Sequence, residues 1–228
     1  MSPYFDFFNR FRSPPDVVKQ HQSIFLKYFK GCKSVLDIGC GRGEFLELLG
    51  ENGIGCEGVD FNSDMIDYCR KKGLTVRQAD AISYLEDLSD DSLDGIFTDD
   101  TVEHLDVAYL LHMLKLCSRK LIERRYMVAK TVNPLSWTAY ASIYMLDTTH
   151  KNPLHPETMR FFMVSCGFRE VKIEFVSQLP DDARLKNIVI TGDMSAVEKR
   201  MAETYNHNIE HLNKAIYGPE NYAAIAKR

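Results

Sequence analysis

The chain has no C-x-x-C pair, a single tryptophan, no excess of basic residues and no apolar run of membrane-spanning length. Each absence excludes something. The six cysteines (Cys32, Cys40, Cys56, Cys69, Cys117, Cys166) are scattered, mostly in apolar runs where a free thiol behaves as a small hydrophobe. A reduced, cytoplasmic protein is therefore expected rather than a disulfide framework. No stretch approaches the ~20 apolar residues of a transmembrane segment. The N-terminal MSPYFDFFNRFRSPP lacks the basic-then-apolar order of a signal peptide and reads as an aromatic lid. A net charge of -4 offers no basic face to displace counterions, so nucleic acid is not an expected partner.

What is present fits one soluble domain. With 228 residues, 45% hydrophobic and 26% charged, the chain can bury a real core. VVKQHQSIFLKYF (17–29) has helical spacing and stops before Gly31. From KSVLDIGC onward, short β-rich runs alternate with helical ones: EFLELLGEN, then GCEGVDF, SDMIDYCRKKG, LTVRQAD, AISYLEDL, SLDGIFTDD, VAYLLHMLKLCSRKL and RYMVAKTV. That alternation predicts right-handed βαβ units and a doubly wound α/β fold with a mostly parallel sheet. PLSWTAYASIYML breaks the pattern as an inserted segment, and PETMRFFMVSCGF resumes it as a helix. REVKIEFVSQ and KNIVITGD are expected to pair antiparallel and close the sheet edge. The expected layout is an N-terminal lid and helix over 1–30, a ligand-binding domain over 31–192 with an insertion at about 134–156, and a helical tail over 193–228. The tail opens on a capping box, Ser195 with Glu198. Its stripe of Val197, Met201, Tyr205, Ile209, Leu212 and Ile216 either packs on the domain or pairs with a second copy.

The chemistry concentrates in VLDIGCGRGEFLELL. Gly39, Gly41 and Gly43 fall between a strand and a helix, where the backbone must turn tightly and a ligand must come close. The spacing is G-x-G-x-G, one residue short of the dinucleotide fingerprint, which disfavours an NAD-dependent oxidoreductase. Asp37 precedes the first glycine by two positions. Asp60 ends the next strand about 20 residues on, where such folds hold ribose hydroxyls, and Asp80 ends the third strand beside Ala81.

On these residues the chain resembles the class I S-adenosylmethionine-dependent methyltransferases over about 31–192. The resemblance implies a Rossmann-like seven-stranded sheet with an antiparallel edge strand, and S-adenosyl-L-methionine as cofactor. It implies that Asp37 and the glycine turn hold the methionine part, that Asp60 takes the ribose, and that Asp80 with the Ala81 amide reads the adenine. FRSPPDVVKQHQSIFLKYF, GRGEFLELL, DSLDGIFTDDTVEHL, DTTHKNPLHPETMRFF and LNKAIYGPENYAAIAKR further resemble prokaryotic methyltransferases associated with cell-surface polysaccharide synthesis. Members of that group are often fused or adjacent to glycosyltransferases. The chain carries Glu123-Arg124-Arg125 where that group has a Gly-Gly turn, and Asp147-Thr148-Thr149-His150 where it has D-P-T-H.

On the acceptor side, strand four ends in TDDTVEHL without the N-P-P-[YF] or D-P-P-[YF] tetrad of amino-group methyltransferases acting on bases. A hydroxyl or carboxyl acceptor is thus favoured, a sugar being the reading that the resemblance supports. In DTTHKNPLHPE, His155 looks like a helix cap, and Pro153 and Pro156 stiffen the loop. The segment reads as an acceptor site, a structural loop or a metal site, and no residue is assigned as a metal ligand. In the acceptor-site reading His150 is the general base, because its ordinary pKa lies near working pH, and Asp147 orients it. His104 is either a second candidate base or a helix-start histidine bonded locally. Arg12 either reaches the cofactor carboxylate from the lid or is a surface arginine. A non-catalytic scaffold for a glycosyltransferase partner is the alternative from a different class.

Overall fold

The computed structural model describes residues 3–228; the first two positions of the expected N-terminal lid lie outside the described residues. Three helices open the chain: α1 (Pro3–Phe11), α2 (Pro15–Ser23) and α3 (Leu26–Phe29). The single helix expected over 17–29 is thus broken by a turn at Ile24 and Phe25, which lets Phe25 and Phe29 both enter the core, each 0% exposed. Next come β1 (Val35–Ile38), α4 (Glu44–Glu51), β2 (Cys56–Asp60), α5 (Ser63–Lys71), β3 (Val76–Gln78), α6 (Ala81–Asp87), β4 (Leu93–Asp99), α7 (Val107–Lys120) and β5 (Leu121–Val132). Asn62 Oδ1 caps α5, accepting from the amides of Asp64 and Met65, and Asp80 caps α6 through Ser83 N.

The inserted segment is a short α8 (Trp137–Ala139) that widens into a π-turn over Tyr140–Tyr144. After it come α9 (Pro156–Ser165), β6 (Arg169–Val176), the tail helix α10 (Ala196–Ile216) and β7 (Asn221–Lys227). The sheet order is β3-β2-β1-β4-β5-β7-β6. β1 to β5 pair in parallel, and β7 runs antiparallel to both β5 and β6. This is the expected seven-stranded, mostly parallel sheet.

One strand comes from a different stretch than expected. KNIVITGD forms no strand; its place beside β6 is taken by β7, from the stretch read as helical tail. The two competitors differ in what they can bury. Tyr222, Ala223, Ala224, Ile225 and Ala226 are all 2% exposed or less, and small alanines let helices close over both faces of the sheet. Residues 185–190 instead lie along α10. Asn213 bonds both N and O of Leu185, and Asn206 bonds both N and O of Ile188, so two side-chain amides replace a strand partner for this backbone. The buried face of α10 is accordingly Ala202, Ile209 and Asn213, while Val197, Met201, Tyr205 and Leu212 stay exposed.

Alternation along β7 separates two apolar layers. Ala223 and Ile225 join Phe25, Phe29, Phe45 and Phe97 on one face, and Tyr222, Ala224 and Ala226 join Leu36, Ile96, Met113 and Met159 on the other. Within β5 the pairing to β4 shifts between Leu93 and Gly95, and Arg124 takes φ 65 there. It adopts the left-handed turn at the place where a glycine pair is usual in the resembling group.

Candidate active site

The carboxyl ends of β1, β2 and β4 open into a cavity of about 640 Å³, of the size that holds a cofactor. Its lining includes Asp37, Gly39, Gly41, Asp60, Asp80, Ala81 and Arg12. Gly43 lies just behind, as the N-cap of α4. The glycines are there because nothing else fits. Gly39 has φ +71, and a Cβ on it would lie 2.3 Å from Thr101 Oγ1; Gly43 has φ +78, and its Cβ would lie 2.4 Å from Leu74 Cδ1. Gly41 N donates to Asp60 Oδ2 at 3.0 Å, which ties the turn to the end of β2.

The cavity wall is strongly acidic. Asp37 is 3% exposed, and burial, then the charge of Asp99, pushes its carboxyl well above the usual range. Such a group calls for a cation. Asp60 is likewise raised by burial, against the pull of bonds from Asn62 and Gly41. Asp80 is held below the usual range: burial opposes this, but the Tyr109 hydroxyl at 2.6 Å and the cap bonds outweigh it. Tyr109, on α7 and 29 residues from Asp80 along the chain, is a neighbour that only the fold supplies.

α1 covers the cavity, with Tyr4, Phe8 and, just past its end, Arg12 lining it. Arg42, between Gly41 and Gly43, stacks on Phe8 at 5.3 Å, bonds the carbonyl of Ser13 at 2.9 Å and pairs with buried Glu44 at 2.6 Å. The Arg12 fork reaches Asp100 at 3.1 Å and Asp99 at 3.4 Å, and its Nε is buried without a partner. Lys130 meets the same two carboxylates from β5, at 2.6 Å and 3.0 Å, and Gln22 bonds Asp99 at 2.8 Å. Burial would raise Asp100, yet Lys130 and Arg12 hold it down at about 2. The sequence marks the acids of TDDTVEHL; their partners, cationic Arg12 and Lys130 and neutral Gln22, lie in three other segments.

A second cavity, of about 230 Å³, adjoins the first; His104 lines both, and Asp147 and His150 line the second. The loop reaches this place because the Lys151 and Asn152 amides bond the Glu103 carbonyl at 2.8 Å and 3.1 Å, and Asn152 Nδ2 bonds the Leu105 carbonyl. The rings of His104 and His150 lie 4.5 Å apart. Burial, then His150, lowers the pKa of His104. Asp147 does not bond His150. Its Oδ1 accepts from Thr149 Oγ1 at 2.6 Å and from Thr149 N at 2.9 Å, and Thr149 Oγ1 is 2.9 Å from His104 Nδ1. His150 is oriented by the Tyr144 carbonyl, 2.7 Å from its Nδ1. His155 caps α9, accepting from Glu157 N.

Glu103 is a group that sequence reasoning placed in the region without a role. It is 1% exposed, and a hydrogen bond from the Thr131 side chain only partly offsets that burial. Burial, then the charge of Asp100, raises its pKa to about 8. It lines the second cavity together with Lys130 and His150. Among the described residues no helix is long and apolar enough to cross a membrane.

A family model described as methionine biosynthesis protein MetW matches residues 19–190. The solved structure of a SAM-dependent methyltransferase from Archaeoglobus fulgidus is 44% identical, with 100% of both chains covered and a TM-score of 0.92. More distant are a possible histamine N-methyltransferase from Thermotoga maritima, at 18% identity, 98% coverage of each chain and a TM-score of 0.62, and a methyltransferase from Mesorhizobium loti, at 16% identity, covering 94% of this chain and 100% of that one, with a TM-score of 0.64. Those two share the fold. No curated protein sequence matches the chain.

Proposed function

We propose that this chain, which belongs to the family described as methionine biosynthesis protein MetW and is a S-adenosylmethionine-dependent methyltransferase, methylates a hydroxyl oxygen of a sugar, in a surface glycan or its lipid-linked precursor. The observation that supports this most is the adjacency of the two cavities, with a histidine pair at the seam. On the cofactor side, Asp37 pairs with the ammonium of the methionine part, and Gly39, Gly41 and Gly43 admit it closely. Asp60 accepts from the ribose hydroxyls, Asp80 and the Ala81 amide take the adenine, and Arg12, which lines the same cavity, serves the carboxylate.

Bound there, S-adenosylmethionine would supply an activated methyl group to an acceptor oxygen, an O–CH₃ bond replacing the S–CH₃ bond as the sulfonium gives a neutral thioether. The hydroxyl proton passes to His150 Nε2, since Nδ1 is held by the Tyr144 carbonyl. Asp147 acts through Thr149 on His104, the second proton acceptor. A lipid headgroup or other small molecule is the alternative acceptor, and the family description favours an amino-acid-derived one. A glycosyltransferase is the proposed partner, and the exposed stripe of α10 the proposed homodimer surface. A non-catalytic scaffold is the competing reading.

Methyl-labelled S-adenosylmethionine incubated with sugar nucleotides, lipid-linked glycan, phosphoethanolamine and amino acids tests the assignment. Label in a sugar as a base-stable ether is expected, and His150→Ala should cut that transfer by about 100-fold or more while S-adenosylhomocysteine still binds. Label confined to nitrogen would overturn hydroxyl transfer, and no transfer to any class would favour the scaffold.

A further inference from the structure

We infer that His104, Asp147 and His150 form a binding site for a divalent transition-metal ion of the zinc type. Each offers one ligand atom, and the three lie within 4.8 Å of one another. Zinc bonds of about 2.0–2.2 Å set tetrahedral ligand atoms roughly 3.4 Å apart, so small side-chain rotations close the set.

The hydrogen bonds around the cluster prepare it for an ion. The Tyr144 carbonyl can only accept, so the proton on His150 sits on Nδ1, 2.7 Å away. The Thr149 hydroxyl gives its one hydrogen to Asp147 at 2.6 Å, so its oxygen accepts from His104 Nδ1 at 2.9 Å. With those roles each imidazole keeps Nε2 as its lone-pair nitrogen; for His104 the assignment follows from the Thr149 hydroxyl donating to Asp147. Metal-ligating histidines are usually held this way, by a bond from the other ring nitrogen to a carbonyl or similar acceptor. Both Thr149 bonds to Asp147 go to Oδ1, which leaves Oδ2 for a cation. Two neutral imidazoles and one carboxylate suit zinc, and three protein ligands leave a coordination position open.

The site is held to the fold by the Lys151 and Asn152 amides on the Glu103 carbonyl, so its ligands come from two segments already locked together. Its consequence rests on the function proposed above: ion and acceptor proton compete for His150 Nε2, so zinc would switch off a transfer that uses His150 as base.

The test is zinc content. Full-length protein is stripped with chelator, dialysed against micromolar zinc and assayed by mass spectrometry, with S-adenosylhomocysteine titration as the control for folding. One zinc per chain is expected. His150→Ala and Asp147→Asn should bring it to background with cofactor-product affinity retained, and Thr149→Val should weaken zinc by about tenfold or more. The exposed pair His207 and His211, with rings 4.5 Å apart, is the competing location. Zinc that leaves with His207→Ala/His211→Ala, or that survives His150→Ala, would overturn the site, as would less than stoichiometric uptake. Methyl transfer surviving His150→Ala overturns the base reading alone and leaves the zinc result untouched.

Discussion

At the residue scale the cofactor side depends on a carboxylate in an expensive position. Asp37 is buried, raised in pKa and near other acids, so without ligand it holds its proton to higher pH than in the unfolded chain. The sign follows. Between the unfolded pKa near 4 and the raised folded one, the native state binds more protons, so unliganded stability falls as pH rises through that window. Asp37→Asn should therefore raise the melting temperature of the unliganded protein at pH 7–8 by about 2–4 °C per kcal/mol, and by less at pH 5. The same substitution should weaken S-adenosylhomocysteine by tenfold or more. Calorimetry of wild type in buffers of different ionisation heat should show a proton released on binding. An unchanged melting temperature would contradict the electrostatic account. At the turn itself, Gly39→Ala sets a methyl against Thr101 at a left-handed φ and should cost about 1–3 kcal/mol, read from chemical denaturation.

At the element scale the sheet is completed by the end of the chain. Removing residues 219–228 would open the slot between β5 and β6 and expose both apolar layers; loss of cooperative unfolding is expected, and a two-state transition at wild-type midpoint would refute it. Asn213→Ala should cost about 1–3 kcal/mol, because two backbone groups of Leu185 lose their partner. It should also speed amide exchange over 185–190 while β6 stays protected. Here the limits of reading sequence are physical. Strands β1 to β6 and helices α4 to α7 and α9 are legible, because period-2 or period-3.6 patterns and glycine or asparagine caps bound them. KNIVITGD has better strand residues than NYAAIAK, yet the alanines win, since the slot demands side chains small enough to bury on both faces. The tail stripe was legible as apolar, but not which side of α10 faces inward, because an asparagine, Asn213, forms part of its buried face.

At the scale of the whole molecule, the sheet presents its β1, β2 and β4 ends to one cavity, α1 closes over it, and the 147–155 loop brings a second cavity alongside. The acids and glycines of the cofactor side were legible because one strand–turn–helix carries most of them. The acceptor side was legible only as a set of residue types. Asp147 was expected to orient His150, yet the fold gives that task to the Tyr144 carbonyl and couples Asp147 to His104 through Thr149. Contacts between segments far apart in the chain, such as Arg12 and Lys130 on Asp99 and Asp100, have no local pattern to reveal them.

Calorimetric titration with S-adenosylhomocysteine, set beside NAD, tests the central claim most directly. The account predicts saturable one-to-one binding of S-adenosylhomocysteine, lost in Asp37→Asn, and no heat from NAD. Absence of S-adenosylhomocysteine binding to folded wild-type protein, or equal binding by Asp37→Asn, would contradict it.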